Sequence, residues 1–336
     1  MTEPGRKRGL KLVAIGGGTG LSTLLAGLKS YVGENARLAS LSAIVTVSDD
    51  GGSSGRLREE LQILPPGDIR NCMIALSEDS NLLSRLFRYR FGGSGDLAGH
   101  SFGNLFLAAL TEVTGDFVEA VRLSSEVLAS KGHIYPATLT DVRLVAFLED
   151  GRKVLGESQI TSARGSIREL RLEPNYCLPL PLALDAIGDA DVITIGPGSL
   201  YTSILPNLLV SSVPQVIAES RAMKVFIANL MTQPGETDGY DLRRHLDTIR
   251  QYAPQIQFDC VIANNRKIKD EQAEIYAADG AYQITPERFD DLGVQVVLSD
   301  LLDQGEMVRH NSVRLAQTVL ECSENFSWQS KVLVAG

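Results

Sequence analysis

A chain of 336 residues, 44% apolar and 22% charged, has material for one large α/β domain or two modest ones. Its formal charge of 32 − 41 = −9 argues against nucleic acid as the main partner. No apolar run approaches the roughly 20 residues of a membrane-spanning helix, which argues against membrane insertion. The cysteines at 72, 177, 260 and 322 are dispersed and lack a CxxC pair, so a reduced cytoplasmic protein is expected.

Residues 1–9, which include Arg6-Lys7-Arg8, read as a disordered tail, residues 10–325 as a single α/β domain, and residues 326–336 as a C-terminal tail. Leu10 to Ile15 is the first expected strand. It runs into Gly16-Gly17-Gly18-Thr19-Gly20 and a helical pattern from Leu21 to Leu28. Glycines let a ligand approach the main chain, and a helix N-terminus favours an anion, so Gly17, Gly18, Thr19 and Gly20 are candidate phosphate contacts. Counted from Gly16, the third glycine of the dinucleotide fingerprint falls on Leu21, and no Gly-Lys-Ser/Thr follows. The turn therefore suits a phosphate but lends NAD(P) only weak support.

Ala43 to Val47 is the next expected strand. It ends in Ser48-Asp49-Asp50-Gly51-Gly52-Ser53-Ser54-Gly55-Arg56, with Arg58 beyond. Ligands of open α/β sheets sit at the carboxyl ends of the strands. This loop offers an acidic pair, backbone N–H groups, the hydroxyls of Ser48, Ser53 and Ser54, and the Arg56 cation. Either carboxylate, Asp49 or Asp50, is suited to holding Mg²⁺ beside phosphate oxygens, to accepting a ligand hydroxyl, or to acting as a base. The stiff run Leu64-Pro65-Pro66-Gly67 follows. Asp68 is placed to cap a helix over Ile69–Leu76, and Arg70 and Asn71 to face a phosphate or a surface partner.

Helices are expected at Leu82–Tyr89, Phe102–Val113 and Phe117–Leu128. In Gly99-His100-Ser101-Phe102-Gly103-Asn104, His100 and Asn104 fit ligand contact or a structural role. A small antiparallel β insertion is expected over about 136–175. It comprises a hairpin of Arg143–Glu149 and Lys153–Ile160 turning at Asp150-Gly151, and a third strand over Ile167–Leu172. The α/β rhythm then resumes, with strands at Asp191–Ile195, Lys224–Ala228, Cys260–Ala263 and Val294–Leu298. The first ends in Gly196-Pro197-Gly198-Ser199, leading to Thr202. The second ends in a polar loop carrying Asn229, Thr232, Gln233 and Glu236. Alternating strands and helices imply a doubly wound, mainly parallel sheet with helices on both faces. Ser199 lacks a GxSxG setting, and no His/Cys cluster has zinc-ligand spacing.

Six motifs in order, GGGTGLS (16–22), TVSDDGGSSGRLR (46–58), LPPGDIRNC (64–72), GHSFGN (99–104), GPGSLYTSILPNLL (196–209) and NLMTQPGETDGY (229–240), together resemble the YvcK family. These bacterial proteins are called gluconeogenesis factors, and are similar in turn to CofD, the 2-phospho-L-lactate transferase of deazaflavin cofactor synthesis. The resemblance extends from Leu10 to about Thr318. It implies a Rossmann-like core and a UDP-sugar ligand such as UDP-N-acetylglucosamine, with the diphosphate near the glycine turns, including Gly196 and Gly198. It also implies a role in cell shape and peptidoglycan synthesis on gluconeogenic carbon sources, with cell-wall synthesis proteins and a second copy of the chain as expected partners. By the same resemblance Tyr276 is expected to stack on the base and Arg309 to pair with phosphate. The alternative it carries is a CofD-like, Mg²⁺-dependent transferase that moves a phospholactyl-type group from a nucleotide donor.

Overall fold

Seven parallel strands form the central sheet of a computed structural model that describes residues 8–77, 82–285 and 292–334. In chain order they are β1 (Leu10–Gly16), β2 (Leu38–Val45), β3 (His133–Pro136), β7 (Val192–Ile195), β8 (Met223–Ile227), β9 (Cys260–Asn264) and β10 (Gln295–Ser299). Between β3 and β7 the chain forms a second, three-stranded antiparallel sheet from β4 (Arg143–Leu148), β5 (Lys153–Leu155) and β6 (Ile167–Glu173). Across the main sheet the order is β10-β9-β8-β7-β1-β2-β3. The chain steps outward from β1 through β2 to β3, returns to β7 beside β1, and steps outward the other way. The order of connection reverses between β1 and β7, and their loops diverge over the carboxyl edge of the sheet.

The helices are α1 (Gly18–Leu28), α2 (Gly52–Leu61), α3 (Gly67–Leu76), α4 (Leu82–Arg88), α5 (Phe102–Thr114), α6 (Phe117–Val127), α7 (Glu157–Ala163), α8 (Pro181–Gly188), α9 (Leu205–Leu208), α10 (Val213–Glu219), α11 (Leu242–Tyr252), α12 (Asp270–Ala278) and α13 (Ser312–Val334). Central strands read as continuous apolar runs because helices cover both faces, and all four residues of β7 are buried. Each such Ile or Val contributes about 1.5–3 kcal/mol of burial energy. Among the described residues no single helix is long and apolar enough to cross a membrane.

The expected Rossmann-like, doubly wound sheet and the small antiparallel insertion are both present. Several details differ from expectation. Strand β2 starts at Leu38 and ends at Val45, so Thr46 and Val47 already belong to the loop. Strand β3 joins the main sheet beside β2, with Ala43 opposite Ile134. The second arm of the hairpin ends at Leu155. Gly156 then takes a φ of 96°, which favours glycine, and α7 replaces the rest of the expected strand. The small sheet shares the main core through Leu144, Leu148 and Leu170. It is also tied to α11, where the Tyr252 hydroxyl accepts the Leu170 N–H at 2.7 Å. Residues 1–7 of the expected N-terminal tail lie outside the described residues, as do 335 and 336, and α13 runs on to Val334.

Candidate functional site

The two glycine turns meet at the switch point. A Cβ on Gly20 would stand 2.3 Å from the Pro197 carbonyl oxygen, so only glycine lets α1 start this close to the β7 loop. A Cβ on Gly198 would stand 3.1 Å from the Ser203 Cβ and 3.4 Å from the Gly17 carbonyl oxygen, so the second turn lies in van der Waals contact with the first. Gly196 has a φ of 83° and turns the chain out of β7 beneath the Ile227 carbonyl. Asp68, in the first turn of α3, accepts the Gly18 N–H at 2.7 Å and fixes the mouth of the first turn from below. The sequence places Asp68 as a helix cap; in the fold its carboxylate serves the neighbouring loop.

Above this junction opens a cavity of about 430 Å³. Its walls include Gly17, Gly18, Thr19 and Gly20 from the first turn and Gly198, Ser199 and Thr202 from the second. Asn229, Gln233 and Glu236 come from the loop after β8, and Arg309 comes from the segment before α13. These eleven expected residues therefore share one space, although they come from segments nearly 300 residues apart in sequence. Glu236 links three of the segments: Ser199 Oγ donates to one carboxylate oxygen and Thr161 Oγ1 to the other, the latter at 2.9 Å. Burial raises the Glu236 carboxyl above the ordinary carboxylate range.

The other expected residues stand behind or beside that space. Ser48 Oγ shares a hydrogen bond with Thr46 Oγ1 at 3.0 Å. Asp49 and Asp50 part company. Asp49 Oδ1 accepts the Gly51 N–H, and its other oxygen faces Gly67 of α3. Asp50 Oδ1 accepts the Ser158 N–H in the first turn of α7, which ties it to the insertion. Ser54 is buried against Gly67. Ser53, His100 and Asn104 are buried together: Ser53 Oγ bonds His100 Nδ1 at 3.0 Å and accepts from Asn104 Nδ2 at 3.1 Å. Arg70 extends this seam to Asn104 and Asn71. Arg56 donates to the Ala98 carbonyl, and Arg58 is buried against Asp141 and Val142. These groups join α2, α3 and α5 beneath the loop and do not line the cavity. Thr232 is buried and accepts the Tyr282 N–H. Asn71 borders an adjoining cavity that shares Thr19, Thr23 and Arg309 with the first. Tyr276 accepts the Val308 N–H through its hydroxyl, next to the segment that carries Arg309.

Three contributors have no signal in the sequence. Glu157 and Thr161 reach the cavity from α7, part of the region read as an insertion on the core. His310 lines both cavities; its Nε2 has no partner among the described residues, and burial lowers its pKa to about 4. Glu157 is the most perturbed carboxyl of the group. Burial pushes it up to about 9, helped by the charges of Asp49, Asp68, Glu236 and Asp50. Burial likewise raises Asp68 to about 6, and the neighbouring Asp49 charge adds to it.

Comparison with known proteins agrees with this architecture. Residues 12–302 match the family model described as 2-phospho-L-lactate transferase CofD. The chain belongs to the CofD family. Within it, this CofD-family chain groups with the gluconeogenesis factors of the YvcK type, as its motifs imply. It is 44% identical to the gluconeogenesis factor of Bacillus subtilis over 314 residues, 93% of this chain and 97% of that one. A Nostoc sp. protein provisionally named a gluconeogenesis factor is 49% identical over 319 residues, 94% of this chain and 69% of that protein. The crystal structure of a Bacillus halodurans protein superposes with a TM-score of 0.88 at 44% identity, covering 93% of this chain and all of that one.

Proposed function

We propose that this CofD-family protein is a cytoplasmic UDP-sugar sensor that binds UDP-N-acetylglucosamine in the switch-point cavity. Its output is regulation of cell morphogenesis and peptidoglycan synthesis during growth on gluconeogenic carbon. The observation that carries the reading is the abutment of Gly20 and Pro197 at a cavity of about 430 Å³ that Arg309 also lines. A volume in this range suits a nucleotide-sized ligand. The start of α1 offers N–H groups to a diphosphate, and the Arg309 guanidinium suits bidentate contact with its oxygens. Tyr276, anchored by its hydroxyl beside Val308, is assigned to the base. Glu236, Ser199 and Asn229 supply hydrogen bonds for the sugar. The output runs through protein partners, with cell-wall synthesis proteins and a second copy of the chain as the first to test.

Calorimetry with UDP-N-acetylglucosamine, UDP-glucose, UDP, GTP and NADPH tests the proposal. UDP-N-acetylglucosamine should bind most tightly, and Arg309→Ala should weaken it at least tenfold. Equal and negligible heats across the panel would overturn it.

A second reading, transfer of a phospholactyl-type group as the family name suggests, is favoured by the crowding of Asp49, Asp68 and Glu157. The Asp49 charge raises both Asp68 and Glu157, and crowded carboxyls of this kind suit a cation. Among the described residues no three Asp, Glu, His or Cys side chains form a metal cage. Mg²⁺ does not need one, since one or two carboxylates plus ligand phosphates usually hold it. Asp49 and Asp68 fit that role, while Asp50 is committed to α7. When bound, the ion would neutralise charge on the phosphate oxygens. Incubation with a deazaflavin and a nucleotide-activated phospholactate should then release nucleoside monophosphate, and no product would reject this reading.

A further inference from the structure

The cavity that adjoins the switch-point cavity has a volume of about 470 Å³ and no part in the nucleotide-sugar reading. Two packed helices build most of it. On α1, Ser22, Thr23 and Ala26 share one helix face, and on α3 Asn71, Ile74 and Ala75 do the same. The small side chains of Ala26 and Ala75 leave the space open between the two helices. The segment before α13 forms another wall. There Leu302 and His310 make a β-bridge, and the Asp303 N–H donates to the Arg309 carbonyl at 2.8 Å. This pairing holds Asp303, Arg309 and His310 on the rim, and Arg88, the last residue of α4, completes it.

The polar groups of this lining differ from those of its neighbour. Among the described residues, two guanidinium groups, Arg88 and Arg309, stand against one carboxylate, Asp303. In the switch-point cavity the balance is reversed, with Arg309 facing Glu157 and Glu236. Ser22 Oγ and Thr23 Oγ1 both donate to the Thr19 carbonyl, at 3.0 and 2.8 Å, so they keep only lone pairs for a ligand. His310 Nε2 is buried and has no partner among the described residues, and burial keeps the ring neutral. A ring nitrogen in that state needs either a donor or an acceptor, and a hydroxyl serves as either.

We propose that this cavity binds a second small ligand, a sugar phosphate. Its phosphate pairs with Arg88 and Arg309, whose guanidinium groups suit oxyanions. Its hydroxyls donate to Ser22 and Thr23 and give His310 Nε2 a partner, while its carbons lie over Ala26, Ile74 and Ala75. A bare anion would leave the hydroxyl oxygens and the ring nitrogen unmet, and an uncharged polyol would leave the guanidinium groups unmet; a ligand with both kinds of group satisfies all of them. Arg88 lines this cavity and not the other, so its removal separates the second ligand from the nucleotide sugar.

The test is calorimetry on the full chain, without nucleotide, with glucose 6-phosphate, inorganic phosphate and glucose as probes. Glucose 6-phosphate should bind at least tenfold more tightly than either of the others. Arg88→Ala, folded as judged by circular dichroism, should weaken it at least tenfold and leave UDP-N-acetylglucosamine within twofold. Ala26→Leu, which fills the space between α1 and α3, should also weaken glucose 6-phosphate at least tenfold. No heat from glucose 6-phosphate, equal affinity for inorganic phosphate, or unchanged binding by Arg88→Ala would overturn the proposal. The probe panel on the unaltered chain decides even if a variant folds poorly. Because these titrations contain no nucleotide, a failure of UDP-N-acetylglucosamine to bind would reject the nucleotide reading and leave this one standing on its own outcomes.

Discussion

Replacing Glu157 by glutamine removes the carboxyl that the fold perturbs most within the switch-point cavity. Burial, and then the charges of Asp49, Asp68, Glu236 and Asp50, raise it from an ordinary 4.5 to about 9. Between these values the folded chain holds a proton that the unfolded chain has released. Stability is therefore fully present below the unfolded value and is lost as pH climbs towards the folded one. The window spans 9 − 4.5 = 4.5 pH units. At about 1.4 kcal/mol per unit the ceiling is about 6 kcal/mol, and partial solvent access brings it nearer 3 kcal/mol. Asp68 contributes with the same sign but completes its loss near pH 6. His310 has the opposite sign, because its folded pKa is lowered to about 4; its contribution is complete above the ordinary histidine value of 6.5. From about pH 7 to about pH 8.5 the difference between the two proteins thus isolates Glu157, with an expected relative gain for Glu157→Gln of roughly 1–2 kcal/mol. Urea unfolding of both proteins at several pH values in that range, without nucleotide, measures it. Parallel stability curves would show that Glu157 is an ordinary ionised carboxylate and that the packing argument for its proton is wrong.

Gly20→Ala drives a methyl group to 2.3 Å from the Pro197 carbonyl and must pry the two glycine turns apart. It should cost about 1–3 kcal/mol by thermal unfolding and weaken UDP-N-acetylglucosamine at least tenfold, whereas Gly188→Ala, with open space around it, should do neither. Gly27→Ala meets the Ser312 carbonyl at 2.0 Å and should lower stability by about 1–3 kcal/mol in urea, through the α1–α13 contact alone. Ser53→Ala leaves His100 Nδ1 and Asn104 Nδ2 without their shared partner, at a cost of about 1–3 kcal/mol in urea. Because this seam lies behind the cavity, calorimetry should find ligand affinity within about twofold of the unaltered protein.

Six of the seven main-sheet strands were legible because each is an apolar run that ends in glycine or polar residues. Strand β3 was not: it has only four residues, His133–Pro136, it ends in proline, and its place beside β2 is set by parallel pairing across some 90 residues of sequence. The same distinction governs the site. Glycine turns signal themselves, since close approach of main chains allows little else, and both lie where their strands predicted. Glu157 had no such signal. Its burial arises from tertiary placement, as α7 is held to the acidic loop by Asp50 and Ser158, which are 108 residues apart. Ser53, His100 and Asn104 show the converse case. Their motifs are rich in polar residues, and helix geometry turns these side chains towards one another, in line with the structural role that the sequence also allowed for His100 and Asn104. Local composition marks loops that matter; it does not say which side of the loop the chemistry faces.

The charge of the cavity makes the Glu157 proton more than a curiosity of packing. Among the described lining residues Arg309 is the only arginine or lysine, while Glu157 and Glu236 stand on the same walls. Two ionised glutamates would oppose a diphosphate at least as strongly as one guanidinium attracts it. Glu236 is tied to Ser199 and Thr161, and burial raises it; Glu157, with a value of about 9, is largely uncharged at neutral pH. A neutral Glu157 removes a repulsive charge and presents an O–H donor where a carboxylate offers only acceptors. The acidic loop and α7 together therefore convert a set of carboxyls that looks hostile to anions into a surface able to receive one. They do so by burying Glu157 among other carboxyls until it keeps its proton, so anion tolerance here depends on the docking of the antiparallel insertion against the Asp49–Asp50 loop.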